Sequence, residues 1–250
     1  MVATPVPVFL RFRRSDGSVA VVEWQQREPL FTRLAHAPGS LPGEAPYAPD
    51  VLASHFLGRA EVFAEPFPYL LSAPFVPGAD YAGIVEWIRS FSDWTPRSGP
   101  FYQYHDARPL QHDPPAAFRA LITPPVTDLL AERLRHYFKV PIGRLNTVVL
   151  IRYMDGDGVG LHNDFDEADD ESHRIVVHFH AREQGRGGEL VLFRTRDESD
   201  IATIITPITN RAMAFCISET SYHGVADVTD GERFTLSYSF ITERSGTSRD

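Results

Sequence analysis

The chain has 250 residues, of which 43% are hydrophobic and 23% are charged, and its formal net charge at pH 7 is −9. This composition is typical of a globular protein with a sizeable core, and no apolar run approaches the roughly 20 residues that a membrane helix needs. The negative charge opposes binding to a phosphate backbone, which requires clustered Lys and Arg side chains. We therefore expect neither a membrane partner nor a nucleic-acid partner.

The N-terminus and the cysteine content indicate a compartment. MVATPVPVFLRFRR lacks a basic start followed by a long apolar stretch, so it does not look like a secretory signal. The single cysteine, Cys216, lies in the apolar run AMAFCI, where a buried and inert thiol is expected rather than a nucleophile. Both features predict a cytoplasmic protein.

The first half of the chain predicts a hairpin followed by helices. VFLRFRR and VAVVEWQQ flank the sequence SDGS, and two β-rich runs around an Asp-Gly turn predict a β-hairpin. The Pro- and Gly-rich segment 37–50 is expected to form a loop. Helical spacing of apolar residues predicts a helix over 79–91 and a second helical region over 115–138, which Pro124-Pro125 interrupts.

From Asn146 onward the sequence changes to short β-branched and aromatic runs. The six runs are TVVLIRYM, RIVVHFHA, ELVLFR, IATIITPI, RAMAFCIS and RFTLSYSFI. Their turn-separated spacing predicts a double-sheet barrel or jelly roll. The predicted fold class is α+β and mainly β. We expect one domain over 1–250, with the hairpin and supporting helices in 1–140 and the β-barrel core in 146–242.

Three residues of the β-rich half form a candidate metal site. His162 and Asp164 follow the run TVVLIRYM and, at positions i and i+2, project to one side of an extended chain. His223 follows the run RAMAFCI and joins them if the two strands meet at one mouth of the barrel. Two imidazoles and one carboxylate form the facial triad of non-haem Fe(II) oxygenases. The tripeptide alone is weak evidence, because the stretch HNDFDEADDESHR could equally be a solvated acidic loop.

Arg233 strengthens the metal interpretation. It lies ten residues beyond His223, in GERFTLSYSF at the start of the last predicted strand. A guanidinium is the planar, bidentate donor that a dicarboxylate co-substrate requires at a fixed distance from the metal. The spacing of Arg233 from the candidate ligands therefore fits an oxygenase that uses such a co-substrate.

The segments RYMDGDGVGLHNDFD, RIVVHFHAREQGRGGELVLF and SYHGVADVTDGERFTLSYSF together resemble the Fe(II)/2-oxoglutarate oxygenase superfamily. The closest resemblance is to its prolyl-4-hydroxylase-like branch with free-standing small-molecule relatives, and it covers 146–241. It implies a double-stranded β-helix, Fe(II) on His162, Asp164 and His223, and 2-oxoglutarate on Arg233. It also implies that O2 and 2-oxoglutarate are consumed while a C–H bond is hydroxylated.

Two positions refine that resemblance. Many prolyl hydroxylases of the branch carry a lysine at the position of Arg233, which weakens assignment to that subgroup without affecting the chemistry. Related halogenases carry Gly or Ala at the position of Asp164, so an aspartate there favours hydroxylation. The family often places a tyrosine near the co-substrate, which implies cofactor binding by Tyr153 and a neighbouring polar role for Asn146. Core packing is an equal alternative for Tyr153.

Several further residues are weaker candidates for substrate binding. The acidic stretch 165–171 is expected to be a solvated loop, and a second hypothesis makes Asp166 and Glu167 part of a negative mouth that attracts a cationic substrate. Tyr104 and His105 lie where relatives place a substrate-covering segment. His173, at the end of the acidic stretch, is expected at the surface.

For the substrate, the sequence favours a free amino acid or a related small metabolite, because the chain shows no peptide-binding module and no basic surface. The alternative is a peptidyl or protein prolyl hydroxylase, which a peptide-length groove would support. A nucleic-acid demethylase is disfavoured, since such enzymes carry a second arginine six residues after the first and this chain has Ser239 there. A homodimer is also considered.

Overall fold

The computed structural model describes residues 8–24, 35–36, 47–168, 170–181 and 187–242. Most of the predicted loop over 37–50 therefore lies outside the described residues. The described helices are α1 (Pro49–Ser54), α2 (Gly78–Ser90), α3 (Ala116–Leu121) and α4 (Val126–Phe138), with a 3₁₀ helix at Pro109–His112. Both predicted helical regions are confirmed, including the break at Pro124-Pro125, because proline lacks the N–H that a continuous helix needs.

Strands make up most of the remaining described structure. They are β1 (Val8–Arg13), β2 (Val19–Trp24), β3 (Ala35–His36), β4 (Arg59–Phe63), β5 (Tyr69–Ser72), β6 (Thr95–Ser98), β7 (Tyr102–Ala107), β8 (Ile142–Tyr153), β9 (Gly158–His162), β10 (Glu171–Ala181), β11 (Leu190–Phe193), β12 (Ile201–Ile205), β13 (Arg211–Cys216), β14 (His223–Val225) and β15 (Arg233–Thr242). The predicted hairpin is β1–β2. The six predicted strands are β8, β10, β11, β12, β13 and β15.

The strands form one large curled sheet and one small sheet. The large sheet has the order β12-β11-β14-β9-β7-β8-β15-β10-β13-β5-β4-β3, with β6 beside β7, and its recorded pairings are antiparallel. This arrangement confirms the predicted mainly β fold class and the double-stranded β-helix. Strands β4 to β7 come from the first part of the chain and were not predicted as strands from their local pattern. β4, β6 and β7 are short and carry several polar residues, so their sequences give little strand signal, and β5 is buried but only four residues long.

The helices cover one face of the sheet, and β10 shows how the sequence determines this. Successive side chains of a strand point to opposite faces. Ile175, Val177 and Phe179 therefore pack with the helices in the largest hydrophobic cluster, whereas Val176 packs in a second cluster inside the barrel. Arg174 lies on the same inner face as Val176, so this charged side chain points into the barrel.

His173 corrects one expectation from the sequence. It was expected at the surface, but it is only 3% exposed. The acidic stretch ends in the strand β10, which begins at Glu171, and the period of two directs His173 toward the helices. Its ring contacts Phe138 with centroids 4.8 Å apart, and burial lowers the pKa of the imidazole to about 4.

The hairpin β1–β2 packs against the barrel beside β9. Leu10, Phe12 and Ala20 form a third hydrophobic cluster with strands β11 and β12. The backbone N–H of Asp227 donates to the carbonyl of Arg11 at 2.8 Å. A Cβ at Gly160 would lie 2.0 Å from the carbonyl oxygen of Arg13, so only glycine allows β1 this close to β9.

No helix within the described parts of the chain combines the length and the apolar character needed to span a membrane.

Candidate active site

The barrel fold brings the three candidate ligands together. His162 is the last residue of β9, His223 is the first residue of β14, and the two are direct partners in the antiparallel pairing of these strands. Asp164 follows β9 with φ of 56°, a left-handed conformation that turns the chain and that aspartate tolerates better than most residues. One ligand atom from each residue lies within 4.8 Å of the other two.

Backbone contacts hold both imidazoles in the tautomer that binds metals. His162 Nδ1 lies 2.9 Å from the carbonyl oxygen of Gly160, and His223 Nδ1 lies 2.8 Å from that of Ser221. A carbonyl oxygen can only accept a hydrogen bond, so each Nδ1 carries the proton. The lone pairs on Nε2 are then free, and they face the Asp164 carboxylate at 3.4 Å from His162 and 3.1 Å from His223.

The electrostatics of the site keep Asp164 ionised. Burial alone would raise the pKa of this carboxyl, but the charges of Arg174 and His162 outweigh burial and hold it well below its ordinary value. Burial lowers the pKa of His223 and so favours the neutral imidazole. Burial acts in the same direction on His162, but the neighbouring carboxylate raises that pKa above its ordinary value.

Arg174 belongs to the site, although its role was missed in the sequence. Its Nη1 lies 2.5 Å from Asp164 Oδ2, while its Nε and Nη2 donate to Glu171 Oε1 at 3.0 and 2.8 Å. Strand alternation could have predicted this role, because Arg174 and Val176 are two residues apart on β10 and therefore face the same side, the inside of the barrel. Metal ligands are commonly oriented by such second partners, which also tune their basicity.

A cavity of about 320 Å³ adjoins the three candidate ligands inside the barrel. Arg233 also lines it, together with the hydroxyl-bearing Thr235 and Ser237 and with apolar and aromatic side chains. Arg233 is 4% exposed, and its Nε donates to Thr235 Oγ1 at 3.2 Å while its Nη1 donates to the carbonyl of Gly188. The cavity therefore combines a triad of metal-binding type with a buried, oriented guanidinium.

A second, open groove of about 1250 Å³ reaches the same triad from the surface. His162, Asp164 and Phe101 line both the groove and the smaller cavity. The rest of the groove is formed by the hairpin β1–β2, by 161–165 and by the loop 196–199. The triad thus lies where a narrow interior space meets a wide exterior one.

Comparison with known proteins relates the β-rich half of the chain to a family. Residues 148–240 match the family model described as the 2OG-Fe(II) oxygenase superfamily, and this segment includes the three candidate ligands and Arg233. This part of the chain is therefore similar to the 2OG-Fe(II) oxygenases. The family uses Fe(II), 2-oxoglutarate and O2, as the sequence resemblance implied. The chain matches none of the curated protein sequences with which it was compared.

Solved structures with the same fold are prolyl hydroxylases and a related oxygenase. A Pseudomonas putida prolyl-4-hydroxylase is 18% identical, with a TM-score of 0.55, over 70% of this chain and 92% of that one. A Trichoplax adhaerens prolyl hydroxylase in complex with a hypoxia inducible factor peptide is 15% identical, with a TM-score of 0.57, over 70% and 83%. A Burkholderia pseudomallei 2OG-Fe(II) oxygenase is 13% identical, with a TM-score of 0.51, over 73% and 89%.

The donor set of the candidate site fits Fe(II). One ligand atom from each of the two imidazoles and the carboxylate lies within 4.8 Å of the others, and such a set would hold Fe(II) and leave positions for a co-substrate and O2. Arg174 and the two backbone carbonyls pre-orient the donors before any ion arrives. These observations are independent of the family match.

The two predicted cofactor residues other than Arg233 lie in different places. Tyr153 is 4% exposed and lines the cavity, with its ring 5.0 Å from the Arg233 guanidinium. Burial raises the pKa of its hydroxyl to about 12, so the group stays protonated and can donate. Asn146 is exposed and does not line the cavity. It is the extra residue of a bulge, because β8 advances from Thr147 to Leu145 while β15 advances by one residue.

The four predicted substrate residues also lie in different places. Tyr104 lines the cavity, whereas the alternation of β7 turns His105 to the opposite side, where its Nδ1 lies 3.4 Å from Asp157 Oδ2. Asp166 and Glu167 are exposed, and neither lines the cavity or the groove. The structure therefore brings Tyr104 alone of these four to the candidate site.

Proposed function

We propose that His162, Asp164 and His223 bind Fe(II), that Arg233 binds 2-oxoglutarate, and that the enzyme hydroxylates an unactivated C–H bond in a peptide segment. The observation that carries the proposal is the position of the triad between a smaller cavity that contains Arg233 and a larger groove at the surface. Each space has a size that suits one of the two organic substrates. Bound Fe(II) supplies the oxidising chemistry, coupling decarboxylation of 2-oxoglutarate by O2 to oxidation of the C–H bond.

The smaller cavity supports binding of 2-oxoglutarate. The Arg233 guanidinium offers N–H donors that match a carboxylate in a bidentate manner, and its contacts with Thr235 and Gly188 limit its rotation. Burial lowers the pKa of Arg233, yet an arginine remains a cation at neutral pH. Glu189 is near enough to interact electrostatically with Arg233, and a bound dicarboxylate would give the guanidinium a directly paired anion.

The lining of the cavity is also largely apolar. Ile151, Leu190 and Phe215 line the same cavity as the triad and Arg233. Electrostatic contacts are stronger beside apolar surface than in bulk water, which favours tight orientation of the co-substrate. Tyr153, protonated and beside Arg233, adds a hydroxyl donor at the same end of the cavity.

The groove favours a peptide segment over the free amino acid that the sequence favoured. Binding sites for small molecules are concave pockets of about 300–1,000 Å³ that bury roughly 70–90% of the ligand surface. A groove of about 1250 Å³ that is open to solvent would leave most of a free amino acid exposed. An extended peptide can instead lie along it and place one side chain at the triad. Such a groove is the feature that supports the peptidyl alternative.

The test is succinate formation by purified protein with Fe(II), 2-oxoglutarate, ascorbate and O2. The reaction is run against free amino acids and against pooled peptides, with His162→Ala as the control. We expect peptides to stimulate succinate formation and to gain one oxygen atom by mass spectrometry. Stimulation by a free amino acid alone would return the substrate to the small-molecule class. Absence of turnover, with no anaerobic Fe(II)–2-oxoglutarate absorption band, would contradict the metal site itself.

A further inference from the structure

The strand β2 has an edge that no other described strand covers. β1 and β2 form a sheet of two strands, so β2 has β1 as its only partner in the described part of the chain. The Arg14 N–H donates to the Ser18 carbonyl at 2.8 Å, and hydrogen-bonded pairs alternate along an antiparallel ladder. The backbone groups of Val19, Val21 and Glu23 consequently point away from β1, toward the uncovered edge.

The open groove runs along this edge. Ala20, Val21, Val22 and Glu23 all line it. Consecutive side chains of a strand point to opposite faces, so four residues in a row can line one groove only if it follows the strand edge. The same groove contains His162 and Asp164, and therefore connects the edge of β2 with the candidate iron site.

Within the described part of the chain, the edge lacks the features that normally protect a free strand. Exposed edges are commonly blocked by proline, lysine, a bulge or a covering element. β2 has the sequence VAVVEW, with no proline and with Glu23 as its one charge, and its register with β1 is unbroken. Val19 and Val21 are 42% and 62% exposed on its outer face, beside the equally exposed Phe9.

We propose that an extended segment of the substrate pairs with the outer edge of β2 as a third strand and follows the groove to the triad. This inference rests on the proposed function and names how its peptide substrate docks. Main-chain hydrogen bonds to Val19, Val21 and Glu23 provide affinity that does not depend on sequence, and Val19 and Val21 contact alternate side chains of the added strand.

The continuity of the groove favours a substrate peptide over a second copy of the chain. A second copy paired with β2 would cover the mouth of the triad, whereas a single peptide strand can deliver one of its residues there. The groove carries nearly balanced charges, with three arginines and, besides the candidate ligand Asp164, three acids: Arg13, Arg14, Arg196, Glu23, Asp197 and Glu198. Arg14 and Glu198 already pair at 2.6 Å. The groove therefore suits peptides without a strong net charge.

The experiment compares Val21→Pro with Val21→Thr in the full-length enzyme. Proline removes an N–H that faces the groove and leaves the bonds between β1 and β2 in place, whereas threonine keeps both the N–H and the β-branch. The probes are pooled synthetic peptides of about ten residues, which at roughly 3.3 Å per residue can pair with β2 and extend beyond it. Hydroxylation is measured by mass spectrometry, and folding by circular dichroism and the anaerobic Fe(II)–2-oxoglutarate band.

We expect the KM for the peptide to rise about tenfold in Val21→Pro at unchanged kcat, since docking contributes binding but not chemistry. Val21→Thr keeps the main-chain N–H and should change the peptide KM by much less than Val21→Pro does. An unchanged peptide KM in a folded Val21→Pro would overturn the docking inference while the hydroxylase function stands. Turnover of free amino acids alone would also overturn it. Light scattering that finds a wild-type dimer and a Val21→Pro monomer would assign the edge to a second copy instead. Loss of the absorption band in the wild type would reject the iron site rather than the docking edge.

Discussion

Arg174 contacts the carboxylate of Asp164, with Nη1 and Oδ2 2.5 Å apart. Glu171 accepts two hydrogen bonds from the other side of the same guanidinium, so Arg174 is held between a candidate metal ligand and a second acid. This arrangement raises the pKa of Arg174 and lowers that of Asp164. Arg174 is therefore a positioning residue, because it restrains the orientation of a ligand and leaves Asp164 ready to bind a cation.

The first prediction concerns metal affinity. Arg174→Met should weaken binding of Co(II), used as a coloured substitute for Fe(II), by about 10–100-fold, because Asp164 loses the contact that orients it. Binding is followed by titration of the visible Co(II) absorption. Arg152→Met is the matched control, since Arg152 pairs with Glu232 at 2.8 Å and does not line the cavity. Equal Co(II) affinity in both variants would remove the positioning role from Arg174.

The second prediction concerns the co-substrate. Arg233→Met should raise the KM for 2-oxoglutarate by at least about 30-fold, because truncating one partner of a buried charge pair costs roughly 2–5 kcal/mol. Thr235→Val removes one hydroxyl contact with Arg233 and should raise that KM by about fivefold, or about 1 kcal/mol. Both KM values come from succinate release. Co(II) affinity should be unchanged in each variant, and an unaltered KM in Arg233→Met would place the co-substrate elsewhere.

The third prediction tests the hypothesis of a negative mouth. The double variant Asp166→Asn, Glu167→Gln should change the substrate KM by no more than about twofold, because exposed side chains away from a binding surface contribute within about 0.5 kcal/mol. Neither residue lines the groove or the cavity. The KM is measured with the peptide identified in the succinate assay, at low and at physiological salt. A large increase in the KM of the double variant that occurs only at low salt would instead support a role of these acids in attracting a cationic substrate.

The fourth prediction is a pH dependence of stability that arises from His173. Burial lowers the folded-state pKa of this imidazole to about 4, below its ordinary value of about 6.5. The unfolded chain therefore binds more protons between these two values, and stability falls as the pH drops through that window. Between pH 7 and pH 5, the free energy of unfolding of His173→Leu should fall by about 2 kcal/mol less than that of the wild type. Urea unfolding at the two pH values measures the difference, and equal losses would show that His173 becomes protonated without unfolding.

The fifth prediction concerns the core between β10 and the helices. Phe179 is fully buried and its ring contacts Tyr81 and Phe118, so Phe179→Ala should lower the free energy of unfolding by about 3–5 kcal/mol. Phe9→Ala, at a position 63% exposed, is the matched control and should change it by less than about 1 kcal/mol. Urea denaturation followed by circular dichroism measures both. Similar losses in the two variants would contradict the packing of β10 against the helices.

Strand composition explains the successes of the sequence interpretation, and strand alternation explains its failures. The runs that became β8, β10, β13 and β15 are rich in apolar, β-branched or aromatic residues, and their positions were predicted. Alternation separates two faces of a strand but does not say which face meets the helices and which the lumen. His173 was therefore expected at the surface although it is buried, and the lumen position of Arg174 was missed. His105 and Asn146 were likewise candidates for the site, but a strand face and a bulge direct them elsewhere.

The sequence by itself predicted the fold class, six strands of the second half and the identity of the candidate ligands. The spacing of His162, Asp164, His223 and Arg233 was enough for the ligands, although β9 and β14, which carry the two histidines, were not among the predicted strands. Only the tertiary structure decided which side chains surround them. The partnership of Arg174 with Asp164, the cavity at Arg233 and the groove along β2 depend on pairing between distant segments. Such pairings are set by packing of the whole barrel, which no local pattern encodes.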